Sequence, residues 1–280
     1  MARRPARRPA RRPTASPRSR TGRGRRRPGW RTRLDLVVTR ARRLPAPAWT
    51  ALALLLLVLA NALYQVYRKP SELVGLVTPA SPKPPAETWR TYGDLFEEHS
   101  TALVRPELLA ALVQAESSGD PVALPDWRFR LTVDPRGVYA PPSSAVGILQ
   151  MTDGNYALAR ELCIHDHAVA RTGPWWDPSS CFLNGLYVRT VPSHAIEMTS
   201  AYLTVTAQAI LARPGVRRPA PTERDALVAT AHLCGPERAT AFAHRGFRPS
   251  PGERCGGQDL AAYVGRVRAY SLAFAALAAE

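Results

Sequence analysis

Glu116 stands at the end of the run Pro106-Glu107-Leu108-Leu109-Ala110-Ala111-Leu112-Val113-Gln114-Ala115, with Ser117 directly after it and Gly147-Ile148-Leu149-Gln150-Met151 further on. Proline suits the first turn of a helix, and Leu108, Leu109, Leu112 and Val113 recur at helical spacing, so the run reads as a helix with one buried stripe. Glu116 follows Leu112 by four residues and Leu109 by seven, which puts it on the same stripe. A carboxyl group there is partly withdrawn from water, which favours its protonated form. Such a group could give up a proton as a general acid and recover it as a general base.

The elements that must position this acid are mostly helical. A short helix is expected over residues 89–99, and Gly119-Asp120-Pro121 should end the helix that carries Glu116. Further helical patterns cover residues 155–162, 193–211, 222–233, 236–243 and 260–278. Residues 127–133 could pair as a short strand, and Asp134-Pro135-Arg136-Gly137 is a turn signal. The expected fold class is therefore mainly α, with a small hairpin or flap.

The net charge of +16 is confined to one end of the chain. Residues 1–47 hold 17 arginines against one acid, Asp35, while the remainder carries 21 basic and 21 acidic residues. The tail repeats Ala-Arg-Arg-Pro three times and is too polar to bury a core, so it is expected to be disordered. Residues 48–67 are apolar apart from Thr50, Asn61 and Gln65, with Trp49, Tyr64 and Tyr67 at the flanks. About twenty such residues cross a bilayer as a helix, and the arginine excess before them predicts a cytoplasmic N-terminus. Ala60-Asn61-Ala62 offers the alternative of a cleaved export signal. Residues 68–87 then form a proline-rich linker, and residues 88–280 form the folded domain. The tail is read as a topology determinant, with no specific nucleic-acid partner expected.

Cys163, Cys181, Cys234 and Cys255 all lie beyond the membrane segment, an even count that favours disulfides over metal. Three connectivities are open. The local one, Cys163 with Cys181 and Cys234 with Cys255, closes two loops of about twenty residues, each worth roughly 3 kcal/mol in the loop-entropy picture. His165-Asp166-His167 beside Cys163 reads as a surface turn in preference to a ligand set, and neither metal nor cofactor is expected. The aromatic cluster Trp175-Trp176, with Asn184-Gly185-Leu186-Tyr187 after it, reads equally as a glycan groove or as a hydrophobic lid.

Five short stretches occur in a telling order: LAALVQAESSGDPVA at 109–123, AVGILQM at 145–151, IEMTSAYL at 196–203, AHLCGP at 231–236 and DLAAYV at 259–264. Together, over about residues 90–275, they resemble the motifs of the soluble lytic transglycosylase catalytic domain, a family sharing the lysozyme-like fold with goose-type lysozymes. The resemblance implies cleavage of the β-1,4 bond between N-acetylmuramic acid and N-acetylglucosamine in peptidoglycan, with formation of 1,6-anhydromuramic ends. It implies Glu116 as acid and base, Ser117 orienting it, Gln150 and Met151 beside the sugar, and Tyr263 closing over the acid with its phenol on Glu116 or the sugar. His232-Leu233 departs from the usual Tyr-Asn pair. His232 could replace that phenol as a hydrogen-bonding group at the cleft and would add pH dependence.

The implied setting is the inner membrane, crossed once, with the catalytic domain in the periplasm and glycan strands as partner; a conjugation or secretion apparatus is a further partner by analogy. Three readings compete with this, one of them a DNA-binding membrane protein that rests on the arginine-rich tail alone. A hydrolytic muramidase of goose-lysozyme type would need a second acid to position water, for which Asp120, Asp126 or Asp134 are candidates. A domain that only binds or scaffolds glycan would fit the altered third motif, which has Ala195 and Thr199, and the altered fourth. The wide spacing from Glu116 to Gln150 puts an insertion, residues 127–144, beside the cleft, where Trp127, Phe129 and Tyr139 could stack on sugars.

Overall fold

The computed structural model of the chain describes residues 45–68, 81–123, 128–129, 139–140, 144–177 and 179–280, with backbone alone at 65–68, 128–129 and 139–140. The arginine-rich tail up to residue 44, most of the linker, and Trp127, Asp126 and Asp134 lie outside the described residues.

Helix α1, Ala46–Arg68, contains the apolar span. Its stretch Ala46–Tyr64 is long and apolar enough to cross a membrane; at 1.5 Å per residue it reaches about 28 Å, close to the thickness of a bilayer core. Leucines 52, 54, 55, 56, 57, 59 and 63 are all exposed. A helix that is apolar all round and exposes these leucines is what a lipid environment suits.

Two helices, each opening with a proline in its first turn, begin the folded domain. Helix α2, Pro85–Glu98, buries Thr88, Tyr92 and Phe96, spaced by four residues on one face. Its start at Pro85 takes three residues from the expected linker. Helix α3, Pro106–Ser117, is enclosed on nearly every side, with Leu108 to Gln114 all buried. Ser118 and Gly119 then take left-handed backbone conformations and end it.

The remaining helices complete the domain. Short α4, Asp153–Ala159, is capped by Thr152. A hairpin follows, β1 (Leu162–His165) paired antiparallel with β2 (Ala168–Arg171), and then a single 3-10 turn at Phe182–Leu186. Helix α5, Pro192–Leu211, buries Ile196, Met198, Tyr202 and Leu203. Helix α6, Pro221–His244, is broken at Gly235, whose φ of 79° and ψ of 173° a side chain would resist. Helix α7, Leu260–Leu277, is capped by Asp259 and lies along α3 and α2. Trp89 of α2 meets Phe96 and, across the helices, Phe274 of α7 at 5.8 Å.

The class is as expected, mainly helical with small antiparallel elements, but there are more hairpins than the one anticipated. Arg128–Phe129 pairs with Tyr139–Ala140 inside the insertion, and Arg254–Cys255 pairs with Gln258–Asp259 just before α7. The expected helix over 155–162 instead ends at Ala159, because Leu162, Cys163 and Ile164 turn inward as a buried strand. Cysteine pairing is local: Cys163 joins Cys181, and Cys234 joins Cys255. The second bond ties the break in α6 to the hairpin that launches α7.

Leu112 is fully buried at the centre of α3, so Leu112→Ala should lower the unfolding free energy by about 2–5 kcal/mol. Urea denaturation followed by far-ultraviolet circular dichroism reads this directly; an unchanged midpoint would mean that α3 is not the central helix.

Candidate active site

The last turn of α3 presents Glu116 to two other helices. Its side chain is 11% exposed, and His232 on α6 is 10% exposed. Tyr263 Oη, on the first turn of α7 and fully buried, donates to Glu116 Oε1 at 2.6 Å. His232 Nε2 lies 3.5 Å from the same oxygen. Among the described residues no hydrogen bond falls on Oε2.

This environment reverses the expected tuning of the acid. Burial pushes the Glu116 carboxyl up, but the hydrogen bond and charge of His232, the phenol of Tyr263 and the charge of Arg266 together hold it below its ordinary value. The protonated form is therefore disfavoured, not favoured as the apolar stripe alone suggested. Tyr263 is driven well above the usual phenol value by burial and by the carboxylate it contacts, so it stays a hydrogen-bond donor. Arg266 is the site residue that sequence reading missed. It sits one turn after Tyr263 on α7, with its guanidinium 5.4 Å from the Tyr263 ring centre and its Nη2 donating to Gln258. The spacing of three from Tyr263 was the available signal.

Ser117 does not orient Glu116 by a hydrogen bond. Its hydroxyl lies 2.7 Å from Ile148 O and 3.2 Å from Val113 O, and so joins the end of α3 to the turn at 147–150. In that turn Gln150 donates from Nε2 to the carbonyls of Ala123 and Gly147. Its amide nitrogen is thus engaged by backbone instead of being open to a sugar. Met151 is buried in the core, which removes it from any ligand surface; its backbone pairs with Val146. Arg189 clamps the segment from outside, donating to Ser144 O and Met151 O and pairing with Asp153.

The other candidates separate just as plainly. Asp120 is buried and accepts from the backbone N–H groups of Ser81 and Val122, a structural clasp and not a free acid. His165-Asp166-His167 forms the turn of the β1–β2 hairpin, with His165 Nε2 3.3 Å from disulfide-bonded Cys163 Sγ. No metal-holding cluster occurs among the described residues. Trp175 and Trp176 are 73% and 69% exposed and meet edge to face, so they do not form a buried lid. No known protein family and no curated protein matches the chain.

Gly147 is the tightest point of the arrangement. Its φ is +84°, and an added Cβ would stand 2.2 Å from the Arg189 carbonyl oxygen. Gly147→Ala must displace the turn, costing more than the ~1–2 kcal/mol of left-handed strain alone. A thermal midpoint lowered by several degrees in a calorimeter is the expected result; an unchanged midpoint would show that the turn yields freely.

Proposed function

We propose that this chain is a peptidoglycan lytic transglycosylase, its folded domain of lysozyme-like type and anchored by α1 in an inner membrane with the domain in the periplasm. The observation that carries the reading is a largely buried carboxyl group held through one oxygen by a phenol and an imidazole, with no hydrogen bond on its other oxygen among the described residues. Among the described residues the side chains acting on Glu116 are His232, Tyr263 and Arg266, with no carboxylate among them; Asp126 and Asp134 lie outside the described residues. A glycosidase that activates water generally needs a second carboxylate, whereas a substrate that supplies its own nucleophile does not. Asp120, a candidate for that second acid, is committed to backbone N–H groups.

The chemistry follows from one proton carried out and back. Glu116, protonated at Oε2, gives its proton to the glycosidic oxygen as the C1–O bond of muramic acid breaks. The N-acetyl oxygen of the sugar closes on C1 and holds the positive charge. The C6 hydroxyl then attacks C1, the N-acetyl group leaves, and the Glu116 carboxylate takes the hydroxyl proton. An anhydro ring has formed, no water has been consumed, and Glu116 is again protonated. Tyr263, donating to Oε1 throughout, stabilises the carboxylate stage and fixes the rotamer that aims Oε2.

Two disulfides suit an oxidising compartment, and the arginine-rich tail ahead of α1 suits the cytoplasmic side. A conjugation or secretion apparatus that needs a local opening in the wall is the proposed partner. Purified sacculi digested with wild type should release anhydromuropeptides by mass spectrometry, and Glu116→Gln should reduce that release by about 100-fold or more. Reducing ends without anhydro products would assign a hydrolase instead, and equal release by both proteins would remove Glu116 from the mechanism.

A further inference from the structure

We infer that the segment from Trp175 to Val191 is a membrane-docking surface that seats the folded domain on the lipid headgroups of the bilayer entered by α1. The inference goes beyond the cleavage proposed above and rests on one part of that reading, the anchoring by α1.

Exposed apolar side chains collect in this segment. Of nine large apolar side chains exposed in the described part of the folded domain, seven lie between Trp175 and Val191. Trp175, Trp176 and Leu186 are 73%, 69% and 76% exposed, and Phe182, Leu183 and Val188 are exposed close to them in the chain. Scattered single exposures are ordinary, whereas a concentration of this kind marks an interaction surface.

Local structure holds the segment in place while leaving these side chains outside. The backbone N–H of Cys181 donates to Arg171 O at 3.3 Å, and the Cys163–Cys181 bond fastens the same point to β1. Residues 172–180 therefore form a closed loop, and it carries the two indoles edge to face at 5.8 Å. The 3-10 turn Phe182–Leu186 begins directly after it. Buried Asn184 of that turn donates to Leu162 O, and Arg160 at the end of α4 donates to Gly185 O, while Phe182, Leu183 and Leu186 stay exposed.

The chemistry of the surface favours lipid over a glycan. From Trp175 to Val188 the polar side chains already have protein partners: Asp177 accepts from Ser179, Ser180 donates to Pro174 O, Asn184 to Leu162 O and Tyr187 to Glu197. A bound sugar needs polar groups to fix its orientation, and leucines offer none. Indole and aliphatic side chains together suit the boundary between headgroups and acyl chains. Exposed Arg171, at the entrance to the loop, supplies a cation for anionic headgroups.

The tether decides between lipid and a freely diffusing partner. Sixteen residues, 69–84, separate α1 from α2, and a chain of that length spans at most about 55 Å. An anchored domain thus always has the bilayer within reach at high effective concentration. Docking takes up the freedom of the tether and holds the domain at the membrane surface.

The test uses the full-length chain, one copy to a nanodisc of phosphatidylcholine and phosphatidylglycerol. Trp30→Phe, Trp49→Phe and Trp127→Phe leave Trp89, Trp175 and Trp176 as the emitters. Lipids brominated high on the acyl chain should quench about half or more of that emission relative to plain discs, and adding Trp175→Phe and Trp176→Phe should remove the quenched part. Leu183→Ser with Leu186→Ser, both at exposed positions, should weaken the quenching severalfold with an unchanged circular dichroism spectrum. Quenching undiminished in that variant would overturn the inference. Equal emission in brominated and plain discs would overturn it too; a shift of that emission on adding glycan strands, or on placing two copies in one disc, would give the surface to those occupants. Co-elution of the chain with the discs reads the anchor separately. A chain excluded from the discs would overturn the anchored reading and this inference with it, whereas an inserted chain with unquenched emission would overturn docking alone.

Discussion

The hydrogen bond from Tyr263 to Glu116, 2.6 Å long and joining residues 147 positions apart, is the constraint around which the domain is arranged. It requires the end of α3 and the start of α7 to meet to within a few tenths of an ångström. The structure secures this by running α7 along α3 and sealing the contact with Phe96, Trp89 and Phe274. His232 adds a third helix to the same oxygen. An acid whose surroundings come from three separate segments is tuned by packing, and small movements of any one helix change its proton affinity.

Secondary restraints keep that meeting point from drifting. Ser117 ties the last turn of α3 to Ile148, Arg189 holds Met151 and Ser144 from the other side, and Gly147 allows the Arg189 backbone to approach closely. On the opposite flank, Lys83 donates its backbone N–H to Ser118 O, Ser81 donates its own to Asp120, and Thr88 bonds Gln114. The residues that enter the domain from the linker are thereby stitched to the exit of α3. Placing a disulfide two residues after His232 does the same for α6. Buried Ser117, Asp120, Thr88 and Gln114 are each hydrogen-bonded here, which matters in a medium of low dielectric.

Much of the fold was legible because it is local. Proline at the first turn announced α3, and apolar spacing of three and four gave α5, α6 and α7 to within a few residues. The interruption between residues 233 and 236 was readable from Gly235 and Pro236. The β1–β2 hairpin was not readable as a strand pair: Leu162, Cys163 and Ile164 are too few to display a period, and only their burial against α5 makes them extended. The packing of Met151 and the amide partners of Gln150 were not readable for a related reason. Their motif position says nothing about which way the turn folds, and it folds Met151 inward and leads the Gln150 amide to backbone carbonyls.

By itself the sequence determined the helix that bears Glu116, the placing of four cysteines beyond an apolar segment and the helical length of that segment, and it favoured the local one of three cysteine pairings that the structure then shows. These depend on residue type and short-range spacing. Only the tertiary structure decided the direction in which Glu116 is tuned, the partner of Ser117, and the entry of Arg266. Those outcomes depend on which distant side chains share a few cubic ångströms around one carboxyl oxygen. On its own helix Glu116 meets only burial, which favours the proton; the imidazole, phenol and guanidinium that outweigh burial arrive from α6 and α7.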